Sequence, residues 1–500
     1  MPSSVPAFRP AFLGLRPALA ALAVLTLVRL AVAAATPLAP DETYYWIWSR
    51  VLQPGYFDAP PMVALWIRAG TAVAGNTPLG IRLLGPLSGA LGSMLLWHAA
   101  EILLPGRRAG LVAAGLLNAS LLFGVGTVIM TPDTPLLFFW VACLWALASY
   151  TRDGNGWWLT VAAVAAGAAF DSKYTAAFLL LGAVPWMLWV PSLRRLWRDP
   201  ALYWGILWGM QAIIPVVNWN RTHGWASFLK QGGRLAHWQP VHALGYLGEL
   251  IGTQFGLATP LVFILCAAGV ASVTRRAWRR RDPAFTLLAT MTLPAVAVFV
   301  QHCFAGRVQG NWPAVIYPAA AIAAASLEGP RWRRLIGPAA ALGLAITGLA
   351  YLQATTALLP VPARRDPTAL RLAGWTGLAR QVAAARARTG AAFVAATDYD
   401  VASELAFHLP PGAPLVGVEP RWVWFDLPHP AILGRSGLLV RSLRRSGLPN
   451  PLPWASMQPL GTIWRRRGTA KIEGFRLFRV VARQSPVASA RLPSARLASR

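Results

Sequence analysis

The chain has 500 residues, of which 56% are hydrophobic and only 13% charged, and its mean hydropathy is positive. One soluble core does not accommodate that composition, so the sequence describes a polytopic membrane protein whose first partner is the lipid bilayer. The net charge of +28 would suggest nucleic acid in a soluble chain. Here no recognised binding motif accompanies it, and the arginines cluster between apolar runs, where the positive-inside bias of membrane proteins accounts for many of them. Nucleic acid is therefore excluded as a partner. Cys143, Cys266 and Cys303 each sit inside an apolar run without CxxC spacing, which argues against a disulfide framework or a thiolate zinc site and reads as small core hydrophobes.

A helix needs about 20 residues to span a bilayer. Apolar runs near 11–35, 80–103, 109–130, 134–150, 157–171, 174–190, 201–218, 246–273, 284–304, 311–327 and 333–353 predict about 11 transmembrane helices within residues 1–355. With the amino terminus (Arg9, Arg16) cytoplasmic, the cytoplasmic connections hold Arg107 and Arg108, Arg152, Arg194, Arg195 and Arg198, Arg275 to Arg281, and Arg331 to Arg334. The opposite loops then hold Asp41, Glu42, Asp58, Asp133, Asp171, Lys173, Arg221, His223, Lys230, Arg234 and Arg307, so nearly every chemically capable side chain faces outward. The run 18–35 ends in small residues as a cleaved signal peptide does. Arg29 interrupts that signal core and the loop-charge agreement needs the segment, so it reads as a retained anchor, with Arg29 snorkelling or lining a crevice.

The first outer loop, about 36–79, carries helix-like patterns at 41–52 and 61–74. They are expected to lie as amphipathic helices in the interface, with Tyr44, Tyr45, Trp46 and Trp48 at headgroup depth and Pro60-Pro61 opening the second helix. From about 360 the composition changes. Residues 391–397, 415–418 and 474–482 read as strands and 400–408 as a helix, giving a small α/β domain over 360–483 on the periplasmic side; 484–500, rich in Ser, Arg and Ala, reads as a disordered tail. No internal repeat is visible.

Five short motifs occur in order along the first 330 residues: Asp41-Glu42 after the first span, Phe57-Asp58-Ala59-Pro60-Pro61, Met130-Thr131-Pro132-Asp133-Thr134-Pro135, Phe170-Asp171-Ser172-Lys173-Tyr174 and Gly306-Arg307-Val308-Gln309-Gly310-Asn311-Trp312-Pro313. On these residues the chain resembles the GT-C superfamily of lipid-linked sugar transferases. It is most similar to the family 39/83 group of aminoarabinose transferases, galacturonosyltransferases and protein O-mannosyltransferases. The resemblance implies the GT-C fold in a bacterial inner membrane and inverting transfer from a polyprenyl-phosphate sugar donor. The acceptor would be an envelope glycolipid or glycan, such as lipid A, lipopolysaccharide core or polysaccharide. Transfer to protein hydroxyls is the alternative acceptor chemistry, and a lipid-carrier flippase or transporter is the reading from another class.

Such a transfer needs a base for the acceptor hydroxyl and cations for the departing phosphate. Asp41 is the candidate base, against a reading as a helix N-cap; Glu42 would orient it or bind acceptor. Asp133 is assigned to the catalytic site, against capping the next helix. Asp58 is a substrate-binding candidate in an element where relatives often carry a basic residue next, and Ala59 departs from that pattern, so its cation is absent or comes from elsewhere. Lysine fills three of the 46 basic positions, which singles out Lys173 as a compact phosphate ligand rather than a snorkelling cation or a partner of Asp171. Arg307 is the expected second clamp, and Arg221 and His223 join the substrate-binding set from the outer loop 218–238. No cofactor is required. His237, His242 and Glu249 lack the spacing of a defined zinc motif, although an open divalent-ion site stays possible because some branches of the superfamily use one.

Overall fold

The computed structural model describes residues 12–233, 238, 240–427, 431–483 and 490–492. The membrane part opens with α1 (Phe12–Ala35), followed by α2 (Pro40–Arg50), α3 (Met62–Ala74) and α4 (Pro78–Arg82). Next come α5 (Leu84–Leu103), α6 (Ala109–Ala119), α7 (Leu121–Gly126), α8 (Asp133–Asp153), α9 (Trp157–Ser172), α10 (Ala177–Trp189), α11 (Pro200–Thr222) and α12 (Ala226–Gly232). The chain continues through α13 (Ala243–Leu257), α14 (Pro260–Arg280), α15 (Pro283–Thr290), α16 (Leu293–His302), α17 (Tyr317–Ala325) and α18 (Pro330–Thr356).

All eleven apolar runs are helical, but seven described helices are long and apolar enough to cross a membrane, or eight if the pair bent by 112° at 174–198 counts as one span. The difference has local causes. Ser120, extended and capping Phe123, splits 109–130 into two short helices, and α9, over the run 157–171, has 16 residues. The run at 311–327 begins as a 3-10 turn. Helices meet through small residues, as expected where lipid leaves packing as the driving force. A Cβ on Gly343 would lie 2.0 Å from the Ala119 carbonyl, and one on Gly167 would lie 2.3 Å from that of Gly209.

The basic loops gather on one face: Arg107 and Arg276 both pair with Glu328, Arg281 lies over Trp189, which stacks on Trp278, and Trp186 binds the Pro283 carbonyl. Asp41, Asp58, Asp133 and Lys173 occupy the opposite face. Arg29 neither snorkels nor lines an open crevice. It is fully buried, bound to Asn118 Oδ1 at 2.9 Å and set over the Phe123 ring.

The start of α2 is fixed by a capping box: Pro40 supplies the preset first turn, and Glu42 Oε2 accepts the Ala39 N–H at 2.9 Å. The same carboxylate receives Arg82 Nε at 2.7 Å and Nη2 at 2.6 Å, and the Met130 N–H at 3.0 Å. Arg82 also donates to the carbonyls of Ala33, Thr36 and Pro37. Both side chains are buried, so this bidentate pair joins the end of α1, α2, α4 and the segment before α8.

The carboxyl-terminal part comprises α19 (Pro367–Leu372), α20 (Trp375–Thr389), β1 (Phe393–Ala396), α21 (Tyr399–His408), β2 (Leu415–Gly417), β3 (Ser436–Ser442), β4 (Trp454–Arg467), β5 (Ala470–Ala482) and β6 (Ala490–Leu492). Its sheet has the order β4-β5-β3-β1-β2-β6, with β1 parallel to β2 and β3. The predicted strands and helix are present. Within the tail expected to be disordered, 490–492 pairs with β2, and the remaining tail residues lie outside those described. A correction concerns the aromatics of α2: Tyr44, Trp46 and Trp48 are buried rather than at headgroup depth. They belong to a core shared with the sheet domain, where Trp46 meets Phe407 edge-on at 5.2 Å.

Two stability effects follow. Arg82→Ala strands a buried carboxylate and is expected to cost about 3–5 kcal/mol, read as a loss of several degrees in the melting temperature of detergent-solubilised protein. Glu404, on the face of α21 toward α2, is buried beside His408 Nε2 at 3.4 Å. Burial pushes its carboxyl from 4.5 up to about 7, with Glu42 adding to the shift and His408 and Arg465 opposing it. The folded state therefore keeps a proton that the unfolded chain releases, and stability falls as pH rises between those values. Glu404→Gln should match the parent near pH 4.5 and melt higher at pH 8.

Candidate active site

Asp41 sits in the first turn of α2, behind the N-cap Ala39, so it is not itself a cap. Its Oδ1 accepts the Tyr399 phenol at 3.0 Å, and Arg371 Nη1 stands 4.0 Å from Oδ2. Asp133 opens α8 without capping it: Oδ1 accepts Lys173 Nζ at 2.6 Å and Oδ2 accepts Asn311 Nδ2 at 2.6 Å. Lys173 closes α9 in an extended conformation, which turns its side chain toward Asp133 rather than toward Asp171. Tyr45 joins the two groups. Burial pushes its phenol well above its ordinary range, the neighbouring Asp41, Tyr399 and Asp133 add to the shift, and Arg421 opposes it.

Asp58 is a second centre. Its carboxylate accepts the Tyr44 phenol at 2.5 Å, Lys230 Nζ, and Arg421 Nη1 at 3.2 Å, while its carbonyl accepts Gln231 Nε2 at 2.7 Å. Lys230 also lies over the Phe57 ring, and Phe57 stacks on Trp424. The cations that Ala59 does not supply thus come from α12 and from the carboxyl-terminal domain. Arg421 is held in turn by Glu419 at 2.8 Å and packs on the Tyr399 ring at 3.9 Å.

Other expected site residues are engaged differently. Glu42 is locked in the Arg82 pair without solvent access, so it shapes the site from behind and does not meet substrate. Arg307 makes an exposed bidentate pair with Glu249 at 2.8 and 2.6 Å, and Asn311, four residues on, is the one that reaches Asp133. Arg221 is exposed at the end of α11. His223 stacks on Trp219 at 4.1 Å and also contacts Trp424, placing it at the rim near Phe57. Arg234 and His237 lie outside the described residues. Among the described residues no group of three or more His, Cys, Asp or Glu side chains has metal-holding geometry.

Tyr45, Lys230, Asn311, Tyr399 and Arg421 were not picked out by sequence reasoning. Asn311 stands within the Gly306–Pro313 motif, and Lys230 shares the rarity of lysine that marked Lys173. Tyr399 and Arg421 carried no local signal, because their partners lie 358 and 363 residues away.

Residues 58–219 match the family described as dolichyl-phosphate-mannose-protein mannosyltransferase. Lipid A galacturonosyltransferase RgtD of Rhizobium johnstonii is 27% identical over 388 residues, covering 75% of this chain and 78% of that protein. Undecaprenyl phosphate-alpha-4-amino-4-deoxy-L-arabinose arabinosyl transferase of Pseudomonas aeruginosa is 28% identical over 360 residues, covering 63% of this chain and 61% of the relative. The crystal structure of ArnT from Cupriavidus metallidurans superposes with a TM-score of 0.61 at 17% identity, over 94% of this chain and 98% of that one. The chain is similar to GT-C superfamily glycosyltransferases in sequence and shares the fold of this ArnT. The undecaprenyl-phosphate-bound form of that ArnT has the same fold, with a TM-score of 0.59 at 17% identity over 91% of this chain and 96% of that one. Seven of its described helices are long and apolar enough to cross a membrane, and its α2 and α3 segment shares a buried core with the sheet domain.

Asp58 ties α12 and the sheet domain to the bundle. Asp58→Ala removes acceptors for two charged donors, each worth about 1.5–3 kcal/mol, and the melting temperature is expected to fall by several degrees. Asp58→Glu should recover part of that loss in the same thermal scan.

Proposed function

We propose that this chain transfers a sugar from a polyprenyl-phosphate carrier to an envelope glycolipid of the lipid A type, on the non-cytoplasmic side of a bacterial inner membrane, with inversion at the anomeric carbon. The Asp133–Lys173 ion pair, together with an Asp41 carboxylate held by the neutral Tyr399 phenol, carries this reading. The names of the two relatives support the donor and acceptor classes, and the segregation of arginine-rich loops to the far face supports the orientation.

In this scheme Asp41 accepts the proton of the acceptor hydroxyl as that oxygen attacks the anomeric carbon. The bond from that carbon to the phosphate oxygen breaks, and polyprenyl phosphate departs with the electron pair. Lys173 meets the phosphate. An ammonium has three protons and Asp133 takes one of them, so two remain for phosphate oxygens. Asp133, with both oxygens occupied, holds Lys173 and Asn311 in place. Arg307 and Arg221, exposed at the rim, meet the headgroup before it reaches Lys173, and His223 borders the same entrance. A second acceptor chemistry, protein hydroxyls, has the family match over 58–219 in its favour. The lipid reading is preferred because the relative with the broader coverage is named for lipid A.

The test is complementation of a deletion strain followed by mass spectrometry of lipid A, polysaccharide and glycoproteins. The parent gene should restore a sugar-sized mass increment on lipid A. Asp41→Asn and Lys173→Ala, present at parental levels in the membrane, should each lower transfer at least about 10²-fold, the scale of a lost general base or charge clamp. Near-parental transfer by either variant removes that residue from the mechanism. An increment found only on glycoprotein replaces the acceptor.

A further inference from the structure

The parallel strands β3, β1 and β2 run side by side in that order, so the chain changes direction at β1 and their carboxyl ends share one edge. In open sheets of this kind, loops beyond those ends form a crevice suited to ligands. Here that edge faces α2. Asp398 and Tyr399 follow β1, and Glu419 and Arg421 follow β2. The Tyr399 ring meets Tyr44 edge-on at 4.9 Å, and Trp422 and Phe425 lie 5.6 and 5.9 Å from the same Tyr44 ring. What a free-standing domain would offer to a small molecule is turned toward the base of the membrane enzyme.

We propose that Tyr399 is the positioning residue for Asp41, its phenol holding Oδ1 so that Oδ2 faces the acceptor hydroxyl, and that the sheet domain thereby completes the active site. The inference rests on the reading of Asp41 as the base. Tyr399 is fixed at three points: its N–H donates to Glu419 Oε2 at 3.0 Å, its ring lies under the Arg421 guanidinium at 3.9 Å, and its phenol donates to Asp41 Oδ1 at 3.0 Å. Arg371 Nη1, at 4.0 Å and exposed, is beyond hydrogen-bond range of Oδ2 and leaves that oxygen open. Burial, reinforced by the Asp41 charge, keeps the phenol protonated and therefore a donor. A carboxylate held by one oxygen loses its rotational freedom, and a base aligned before the acceptor arrives avoids that cost in the transition state. Arg421 links this contact to Asp58, so the docking of the domain and the aim of the base depend on the same residues.

The full-length enzyme in phospholipid vesicles, supplied with undecaprenyl-phosphate-linked galacturonic acid and lipid A, provides the test. Tyr399→Phe keeps the ring, and with it the Arg421 and Tyr44 contacts, and removes only the hydroxyl. A fall in kcat of roughly 10-fold or more, with unchanged KM for donor and acceptor and an unchanged melting temperature, is expected. An unaltered kcat, or a loss of kcat that tracks a loss of folded protein, overturns the assignment. Asp41→Asn, run in parallel, separates the two ideas. If it transfers at the parental rate the base reading itself fails; if it is inactive while Tyr399→Phe is parental, only the role of Tyr399 fails.

Discussion

The geometry of the site depends on one buried ion pair. Glu42 lies next to the proposed base in sequence, and its carboxylate caps α2, receives both forks of Arg82 and binds the backbone ahead of α8. Burying two charges is costly unless every lone pair and proton is used, and here nearly all are: Arg82 spends its remaining donors on three carbonyls at the end of α1. The return is position. Asp41 on α2 and Asp133 at the head of α8 come from different parts of the chain, and Glu42 bonds directly to the elements that carry both.

Around that anchor the charges are balanced unevenly. Asp58 and Glu419 face Lys230 and Arg421, and Asp133 faces Lys173, so each of those groups is locally neutralised. Asp41 differs. Among the described residues its hydrogen-bond partner is a neutral phenol, and its side chain is 41% exposed. This difference in partners separates Asp41, whose nearest cation is Arg371 at 4.0 Å, from Asp58 and Asp133.

Much of this was legible in the sequence, for identifiable reasons. The apolar runs and the strands expected at 391–397, 415–418 and 474–482 rest on local composition and periodicity, and helices and strands appear there. Asp41, Asp133 and Lys173 were legible because short motifs mark them, and the structure pairs Asp133 with Lys173. Hydropathy is blind to a backbone break such as that at Ser120, where a window reads two short helices as one run. The aromatics of α2 were misplaced at the bilayer surface because a face rich in Trp and Tyr looks the same whether lipid or another domain covers it. Arg307 was drawn toward phosphate by its motif, while the partner it finds, Glu249, stood outside any motif. Contacts across more than 300 residues, such as Tyr399 with Asp41, have no imprint on a single sequence.

The placement of the charges also bears on whether the protein moves its lipid substrate or modifies it. A translocation path needs polar groups, or a gap, continuing from the crevice toward the far face. Below Asp133 and Lys173 the buried positions of α8 and α9 are mostly apolar, Leu136, Leu137, Trp140, Leu144, Ala169 and Ala165 among them, with Asp171 and Ser172 buried at the Lys173 end of α9. On its other side α9 is in backbone contact with α11 through Gly167 and Gly209. Opening a route there would part helices held by their closest contacts.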